Sequence, residues 1–345
     1  MTATTIRTDS NDGHVQSRPP PICSALVCSA NARRNSHGGG WRRRRRWRPA
    51  RAALWALLDR HIEPGATVAI VGAGNGDDLP LRRLARRVAR LDLIDLDANA
   101  LARARRRTLP WTPRVRTLVE DVTGGHADEI VDRARGATAP VGDPPKGPIG
   151  TAPYDVVISD LLATQLLYPA LLDSGLESTA IDETLTQAGQ PLTDAVVARM
   201  HAAAPGGIVI HIHDLLGWWH GHHEPATISA LLDLAASDPE AAVVFAADCN
   251  QPYGCDPRLS STRLGATIVE TTFWRWPFAP GTDYLVCATV ARGHHAKLAG
   301  RALLQAEMCN VGGGGHAGRA TLEHAGENAV GPQEAGEQRE HAAGS

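Results

Sequence analysis

A glycine-rich turn at residues 72–78 follows a short apolar run at residues 66–71, and it constrains the fold more than any other stretch of the chain. The run is β-branched and uncharged, as is typical of a parallel strand buried on both faces. Glycines at 72, 74 and 76 let the backbone turn sharply and approach a ligand with no Cβ in the way. The pattern predicts the first strand and ligand-binding turn of an α/β sheet.

Two acids stand where a dinucleotide-binding turn would have its third glycine. They are Asp77 and Asp78, at the start of the next predicted helix. A pyrophosphate prefers the positive end of a helix and would be repelled by two carboxylates there. A ligand that carries an ammonium or sulfonium group would be tolerated or attracted. The turn therefore favours a cationic ligand over NAD.

Four further runs have the length and composition of strands, and polar residues stand at their carboxyl ends. These runs are residues 91–95, ending in Asp95; 115–119, followed by Glu120 and Asp121; 154–160, ending in Ser159 and Asp160; and 207–214, ending in His213 and Asp214. In an open α/β sheet, ligands bind outside the carboxyl ends of the strands. Asp95, 19 residues beyond Gly76, is placed to hold a ribose diol, and an acid after the third strand can accept from an adenine amino group.

Two β-rich runs near the end of the chain, residues 269–276 and 284–291, are joined by a turn-rich stretch at residues 277–281. They predict an antiparallel hairpin. Helical spacing is found at residues 49–61, 79–88, 97–107 and 192–203. The predicted fold class is α/β, with a doubly wound, mostly parallel, seven-stranded Rossmann-like sheet and a C-terminal antiparallel hairpin.

With these motifs, residues 48–292 resemble the class I S-adenosylmethionine-dependent methyltransferases. The resemblance implies S-adenosylmethionine as cofactor and methyl transfer to an oxygen or nitrogen nucleophile of a small molecule. Where the family often has an acid two residues before the first glycine, this chain has Ile70, so the ammonium contact is left open among Asp77, Asp78 and Asp160. The implied cofactor-binding residues are Gly72, Ala73, Gly74, Asn75, Gly76, Asp77, Asp95, Leu96, Asp121, Val122, Ser159 and Asp160.

A dense polar cluster at residues 211–224 follows the fifth predicted strand and marks the expected acceptor site. The candidate catalytic residues are His213, Asp160, Asp214 and His220. An imidazole titrates near neutral pH, so either histidine could deprotonate an acceptor, and Asp160 could fix the acceptor or the cofactor's ammonium. We expect Asp160, His213 and Asp214 to converge near the transferred methyl group.

No metal is predicted. Some O-methyltransferases hold magnesium at the positions of Asp160 and Asp214, but the expected neighbouring Asn is Leu215 here. The six cysteines contain no C-x-x-C pair, and the histidine spacing is not diagnostic of zinc.

Two alternative functions remain open. A spermidine-synthase-like aminopropyltransferase would share the fold and the Asp after the fourth strand. Its Asp-x-x-Asp-Pro continuation is missing, because residues 160–164 read Asp-Leu-Leu-Ala-Thr. The other alternative is a non-catalytic ligand-binding or RNA-binding protein that uses the arginines at residues 42–46.

The two ends differ in composition from the middle. We predict a disordered basic extension over residues 1–47, a methyltransferase domain over residues 48–292 and a disordered Gly/Ala/His/Glu-rich tail over residues 293–345. The net charge of -2 gives no global field that favours nucleic acid or membrane. The predicted protein is cytoplasmic and acts on a small-molecule acceptor, without a membrane or nucleic-acid partner. Its oligomeric state is open.

Overall fold

A seven-stranded sheet organises the computed structural model, which describes residues 25–36, 40–222, 224–249 and 255–293. The strand order is β3-β2-β1-β4-β5-β7-β6, in which β1 to β5 are parallel and β7 lies antiparallel between β5 and β6. The strands are β1 (Thr67–Val71), β2 (Arg90–Asp95), β3 (Val115–Val119), β4 (Val156–Asp160), β5 (Ile208–Trp218), β6 (Thr267–Ala279) and β7 (Thr282–Arg292). The predicted fold class, including the hairpin, is confirmed.

The chain reverses its direction across the sheet at β1. This strand pairs with β2 on one side and with β4 on the other, so that Val71 is in register with both Ile94 and Ser159. The two crossovers leave β1 in opposite directions and open a crevice at the carboxyl ends of β1 and β4. The fold therefore places a crevice at this edge, where the sequence predicts a ligand site.

Helices cover both faces of the sheet. Within the described residues they are α1 (Ala25–Ser36), α2 (Trp41–Arg46), α3 (Arg48–His61), α4 (Leu81–Arg87), α5 (Ala98–Arg106), α6 (His126–Ala134), α7 (Tyr168–Asp173), α8 (Ser178–Thr184), α9 (Gln190–Ala203), α10 (Ile228–Ser237), α11 (Pro239–Cys249) and α12 (Pro257–Arg263). Two 3₁₀ turns (Thr112–Arg114 and Ala163–Gln165) and a π-helical turn (Leu185–Gly189) complete the secondary structure of these residues.

Alternating residues of β1 belong to two separate hydrophobic cores. Val68 and Ile70 pack with the core that contains α3, α4 and α5, whereas Ala69 and Val71 pack with the core that contains α1, α6 and α9. Successive side chains of a strand point to opposite faces, so a strand covered on both sides must be apolar throughout. This explains the uninterrupted apolar run that precedes the glycine turn.

Asp97 caps the helix that the spacing over residues 97–107 predicts. Its carboxylate accepts hydrogen bonds from the backbone N–H groups of Asn99 (2.8 Å) and Ala100 (3.0 Å) at the start of α5. Such a cap stabilises a helix by about 1 kcal/mol. In α3, Leu54, Leu57 and Leu58 are buried and form the apolar face of the helix.

The run at residues 161–172 divides into a 3₁₀ turn and α7, because Pro169 is compatible only with the first turn of a helix. Residues 241–247 lie within α11.

The expectation of disorder over residues 1–47 is wrong for its described part, residues 25–36 and 40–47. These residues form α1 and α2, in which Val27, Ala30 and Trp47 are buried. The arginine run gives this stretch the composition of a disordered segment. A few well-spaced apolar side chains nevertheless anchor both helices to the rest of the protein. Residues 1–24 and 294–345 lie outside the described residues, and so does most of the predicted tail.

No helix in the described ranges is long and apolar enough to cross a membrane.

Candidate functional site

A cavity of about 760 Å³ lies at the carboxyl ends of the parallel strands. The predicted cofactor residues in its wall are Gly72, Ala73, Gly74, Asn75, Asp77, Asp95, Leu96, Asp121, Val122 and Asp160. Gly76 and Ser159 are not in the wall. The volume lies in the upper part of the ~300–1,000 Å³ range of small-molecule sites, which suits a cofactor together with a small acceptor. The structure thus brings most of the predicted cofactor residues together.

The glycine turn brings two strand ends into close contact. Gly72 has a φ of 77°, and a Cβ at this position would lie 3.0 Å from the main-chain oxygen of Asp160. Any other residue would be strained by the positive φ and crowded by β4. The turn therefore holds the ends of β1 and β4 together beside the cavity.

Asp95 is fixed at the end of β2 by backbone donors. One carboxylate oxygen accepts from the N–H of Gly74 (2.8 Å), and the other accepts from the N–H of Asp97 (2.9 Å). Burial raises the pKa of this carboxyl above its usual value. Each oxygen keeps a further lone pair, so Asp95 is oriented to accept from a ligand, and its ribose role stays a prediction.

Asp77 is neutralised within the protein. Its side chain is 2 % exposed and forms ion pairs with Arg43 and with Arg107, the latter at 2.6 Å. A carboxylate compensated by two guanidinium groups offers little to a ligand's ammonium group. Of the three acids that the sequence leaves open for the ammonium contact, Asp78 and Asp160 are therefore the better placed.

Asp160 is a buried carboxylate in the cavity wall with no cationic partner. Its side chain is 6 % exposed, and no hydrogen bond or ion pair to it is found within the described residues. Burial raises its pKa well above the usual range, and the charges of Asp78 and Asp95 raise it further. Burial also raises the pKa of Asp78 to about 6, and the charge of Asp77 adds to this shift. A cation in the cavity would compensate both carboxylates.

Asp121 shapes its own turn. Its carboxylate accepts from the N–H (2.8 Å) and hydroxyl (2.7 Å) of Thr123 and from the N–H of Gly125 (2.7 Å), just before α6. These bonds explain the acid at this position by local structure. Its predicted contact with an adenine would use the remaining lone pairs and stays a prediction.

The expected convergence of Asp160, His213 and Asp214 is not found. Asp160 is in register with Ile212, and β5 continues beyond it along β7 to Trp218. His213 is not in the cavity wall: it is 5 % exposed, its electrostatic neighbours include Asp256 and Arg258, and burial lowers its pKa.

The other two predicted catalytic residues also lie outside the cavity wall. Asp214 accepts a hydrogen bond from the hydroxyl of Thr164 (3.0 Å), and burial raises its pKa. His220 is exposed in the turn that follows β5. Adjacent strand ends do share an edge of the sheet, but the extra length of β5 carries its polar residues past the cavity.

Sequence reasoning missed the part of the wall formed by α1 and α2, which adjoins the β6–β7 hairpin. The lining residues of these two parts include Arg34, Arg42, Arg43, Arg46, Trp47, Trp276 and Phe278. The ring centroids of Trp47 and Trp276 lie 4.9 Å apart. The indole N–H of Trp47 donates to the main-chain carbonyl of Phe278 (3.0 Å). The tryptophan that ends the arginine run was the available signal, because a tryptophan at that position can anchor a helix.

No protein-family model and no curated protein matches the chain. Among solved structures, it is similar to the N-methyltransferase NodS from Bradyrhizobium japonicum WM9 in complex with S-adenosylhomocysteine (14% identity, TM-score 0.38, 78% of this chain and 100% of that one). It is also similar to the magnesium protoporphyrin IX methyltransferase ChlM from Synechocystis PCC 6803 with bound S-adenosylhomocysteine (14% identity, TM-score 0.38, 76% and 93%). A third is a SAM-dependent methyltransferase from Aquifex aeolicus (12% identity, TM-score 0.37, 76% and 97%).

Proposed function

We propose that this protein is an S-adenosylmethionine-dependent methyltransferase whose acceptor is an oxygen or nitrogen nucleophile of a small molecule. The observation that carries the proposal is the pair Asp78 and Asp160, two carboxylates with raised pKa in the wall of one cavity. They lie beside a glycine turn at the point where the strand order reverses. A ligand with a sulfonium and an ammonium group would place positive charge beside these two carboxylates.

The remaining wall fits the other parts of this cofactor. Asp95, held by two backbone donors, would accept from the ribose hydroxyls. Leu96 and Val122 would cover the faces of the adenine, and Gly72 to Gly74 would run along the methionine portion. Asp78 and Asp160 would hold the charged groups.

When bound, the cofactor supplies a methyl group that is already activated by the sulfonium. The protein's work is then to align the acceptor, exclude water and retain the cofactor. No histidine is found in the described wall of the cavity. We therefore assign catalysis to alignment, with Asp160 as a positioning carboxylate, rather than to proton abstraction by His213 or His220.

The arginines in the wall disfavour aminopropyl transfer. That reaction needs an amine acceptor, which is a cation at neutral pH. Arg34, Arg42 and Arg46 would repel it, and Arg43 is already paired with Asp77.

Calorimetry with S-adenosylmethionine, S-adenosylhomocysteine and NAD tests the proposal. We expect the first two to bind and NAD not to bind. Asp160→Asn should weaken S-adenosylmethionine binding by about tenfold or more, the effect of a lost charge-assisted hydrogen bond. The control is Asp233→Asn, an exposed acid on α10. Tight NAD binding, or equal affinity in both variants, would contradict the proposal.

A further inference from the structure

The cavity wall contains guanidinium groups as well as carboxylates. Arg34 of α1 and Arg42, Arg43 and Arg46 of α2 contribute to it. Arg43 pairs with Asp77, and Arg46 donates to the carbonyl oxygen of Phe278 (3.2 Å). For Arg34 and Arg42, the described residues provide no carboxylate partner. Two guanidinium groups that form no ion pair within the described residues therefore border the site.

These arginines belong to a folded wall. Trp47, directly after α2, is 5 % exposed and packs on Trp276 and Phe278. At α1, the N–H of Val27 donates to the carboxylate of Asp128 (3.2 Å), and the amide of Asn75 donates to the carbonyl of Asn35 (2.7 Å). These contacts fix α1 and α2 against the glycine turn and the hairpin. The arginines on the two helices therefore differ from charges on a solvated arm.

Trp276 adds an unused hydrogen-bond donor. Its side chain is in the cavity wall and 8 % exposed, and within the described residues its indole N–H has no partner. An indole N–H can only donate, and a buried donor without an acceptor is costly. The apolar part of the Trp276 ring, together with Trp47 and Phe278, contributes to the cavity wall.

We propose that the methyl acceptor is a small anion, whose carboxylate or phosphate binds Arg34 and Arg42 and whose apolar body packs on Trp47, Trp276 and Phe278. This rests on the proposed methyltransferase function. Guanidinium groups pair with both kinds of anion in bidentate geometry. The cavity then has an acidic part for a cationic methyl donor and a basic part for an anionic acceptor, so each ligand is favoured in its own place.

The test uses three simple probes on the full chain: benzoate, phenyl phosphate and neutral benzyl alcohol. Their dissociation constants are measured by ligand-observed NMR, with and without saturating S-adenosylhomocysteine. We expect at least one anion to bind ten times or more tightly than the alcohol, and the better of the two identifies the anionic group. Arg34→Gln/Arg42→Gln should weaken this binding about tenfold or more.

The matched control is Arg44→Gln/Arg45→Gln, which removes the same charge from residues that border a separate shallow depression. It should change the binding of the anions less than twofold. Neither double variant should change the affinity for S-adenosylhomocysteine. If Arg34→Gln/Arg42→Gln does not fold, Arg34→Lys/Arg42→Lys replaces it and should give a smaller loss, because lysine keeps the charge without the bidentate fork.

Three results would overturn the inference: equal losses in both double variants, an alcohol that binds as tightly as the anions, or no anion binding. Single-stranded RNA whose retention depends equally on both arginine pairs would instead identify a polyanion surface. Failure of the methyltransferase function is separate, because it would appear as absent binding of S-adenosylhomocysteine while the anion titration still reports on Arg34 and Arg42.

Discussion

At the scale of single side chains, Asp160 is the main determinant of the proposed site. Its carboxylate is buried without a cation, so its ionised form is unfavourable in the free protein. The folded pKa is raised above the unfolded value, so the folded state binds the proton more tightly. Stability from this group is present at low pH and is lost as the pH rises through the raised pKa.

Asp160→Asn should therefore stabilise the free protein at pH 8, by about 1–3 kcal/mol, while weakening cofactor binding. The gain should be smaller at pH 5, because a lower pH favours the protonated form of the wild-type carboxyl. Denaturant melts at both pH values measure it, and Asp233→Asn should show no such difference. A variant that is less stable at both pH values would mean that the carboxylate is compensated in the fold.

Asp78 predicts that cofactor binding is coupled to proton release. Its pKa of about 6 in the free protein should fall when a cation binds beside it. Affinity for S-adenosylmethionine should rise from pH 5 to pH 7. Calorimetry at pH 6 in two buffers of different ionisation enthalpy should show net release of protons, and Asp78→Asn should reduce that release. Equal heats in both buffers would contradict the coupling.

At the scale of elements, Trp47 joins α2 to the hairpin. Its ring contacts Trp276 and Phe278, and its N–H donates to the carbonyl of Phe278. Trp47→Ala should cost about 3–5 kcal/mol and release α2 from the cavity. Cofactor affinity should fall with it. Trp41→Ala is the matched control, since Trp41 is 70 % exposed at the start of α2. Its melting temperature should stay within about 1 °C of that of the wild type.

A buried polar network joins α9, β5 and α12. The hydroxyl of Ser261 lies 3.1 Å from Nε2 of His201 and 2.9 Å from Nε2 of His211. Burial lowers the pKa of His201 to about 4, and burial together with the charges of His201 and His213 lowers the pKa of His211 well below its usual value. The unfolded imidazoles take up protons near pH 6.5 while the folded ones stay neutral, so stability is lost as the pH falls from 6.5 towards 4.

His201→Gln should flatten this acid-side loss by an amount on the order of 1–3 kcal/mol across the window. His220→Gln, at an exposed turn, should leave it unchanged. Chemical denaturation at pH 4.5, 5.5 and 7 measures the slope. Parallel profiles of wild type and His201→Gln would mean that His201 does not contribute to acid sensitivity.

At the scale of the whole molecule, the wall formed by α1 and α2 makes residues before the first strand part of the site. A chain that starts at residue 48 lacks Val27, Ala30 and Trp47 from the cores and four arginines from the cavity wall. We expect it to lose stability and most of its affinity for S-adenosylmethionine. A chain of residues 25–293 should keep both, as the composition of the ends predicts. Thermal melts and calorimetry compare the two chains. Equal melting temperatures and equal affinities for S-adenosylmethionine would mean that α1 and α2 are dispensable.

The sequence by itself determined the strand segments along the chain, the glycine turn and the acids at the strand ends. These follow from short-range rules: alternation across a covered sheet, the positive φ at Gly72 and the edge shared by parallel strands. Asp95 and Asp160 accordingly lie in the wall of the cavity. Only the tertiary structure decided which charges are paired, where β5 ends and what closes the site. Asp77 meets Arg43 and Arg107, and Trp47 meets Trp276, through contacts between residues far apart in the chain, which local periodicity does not encode.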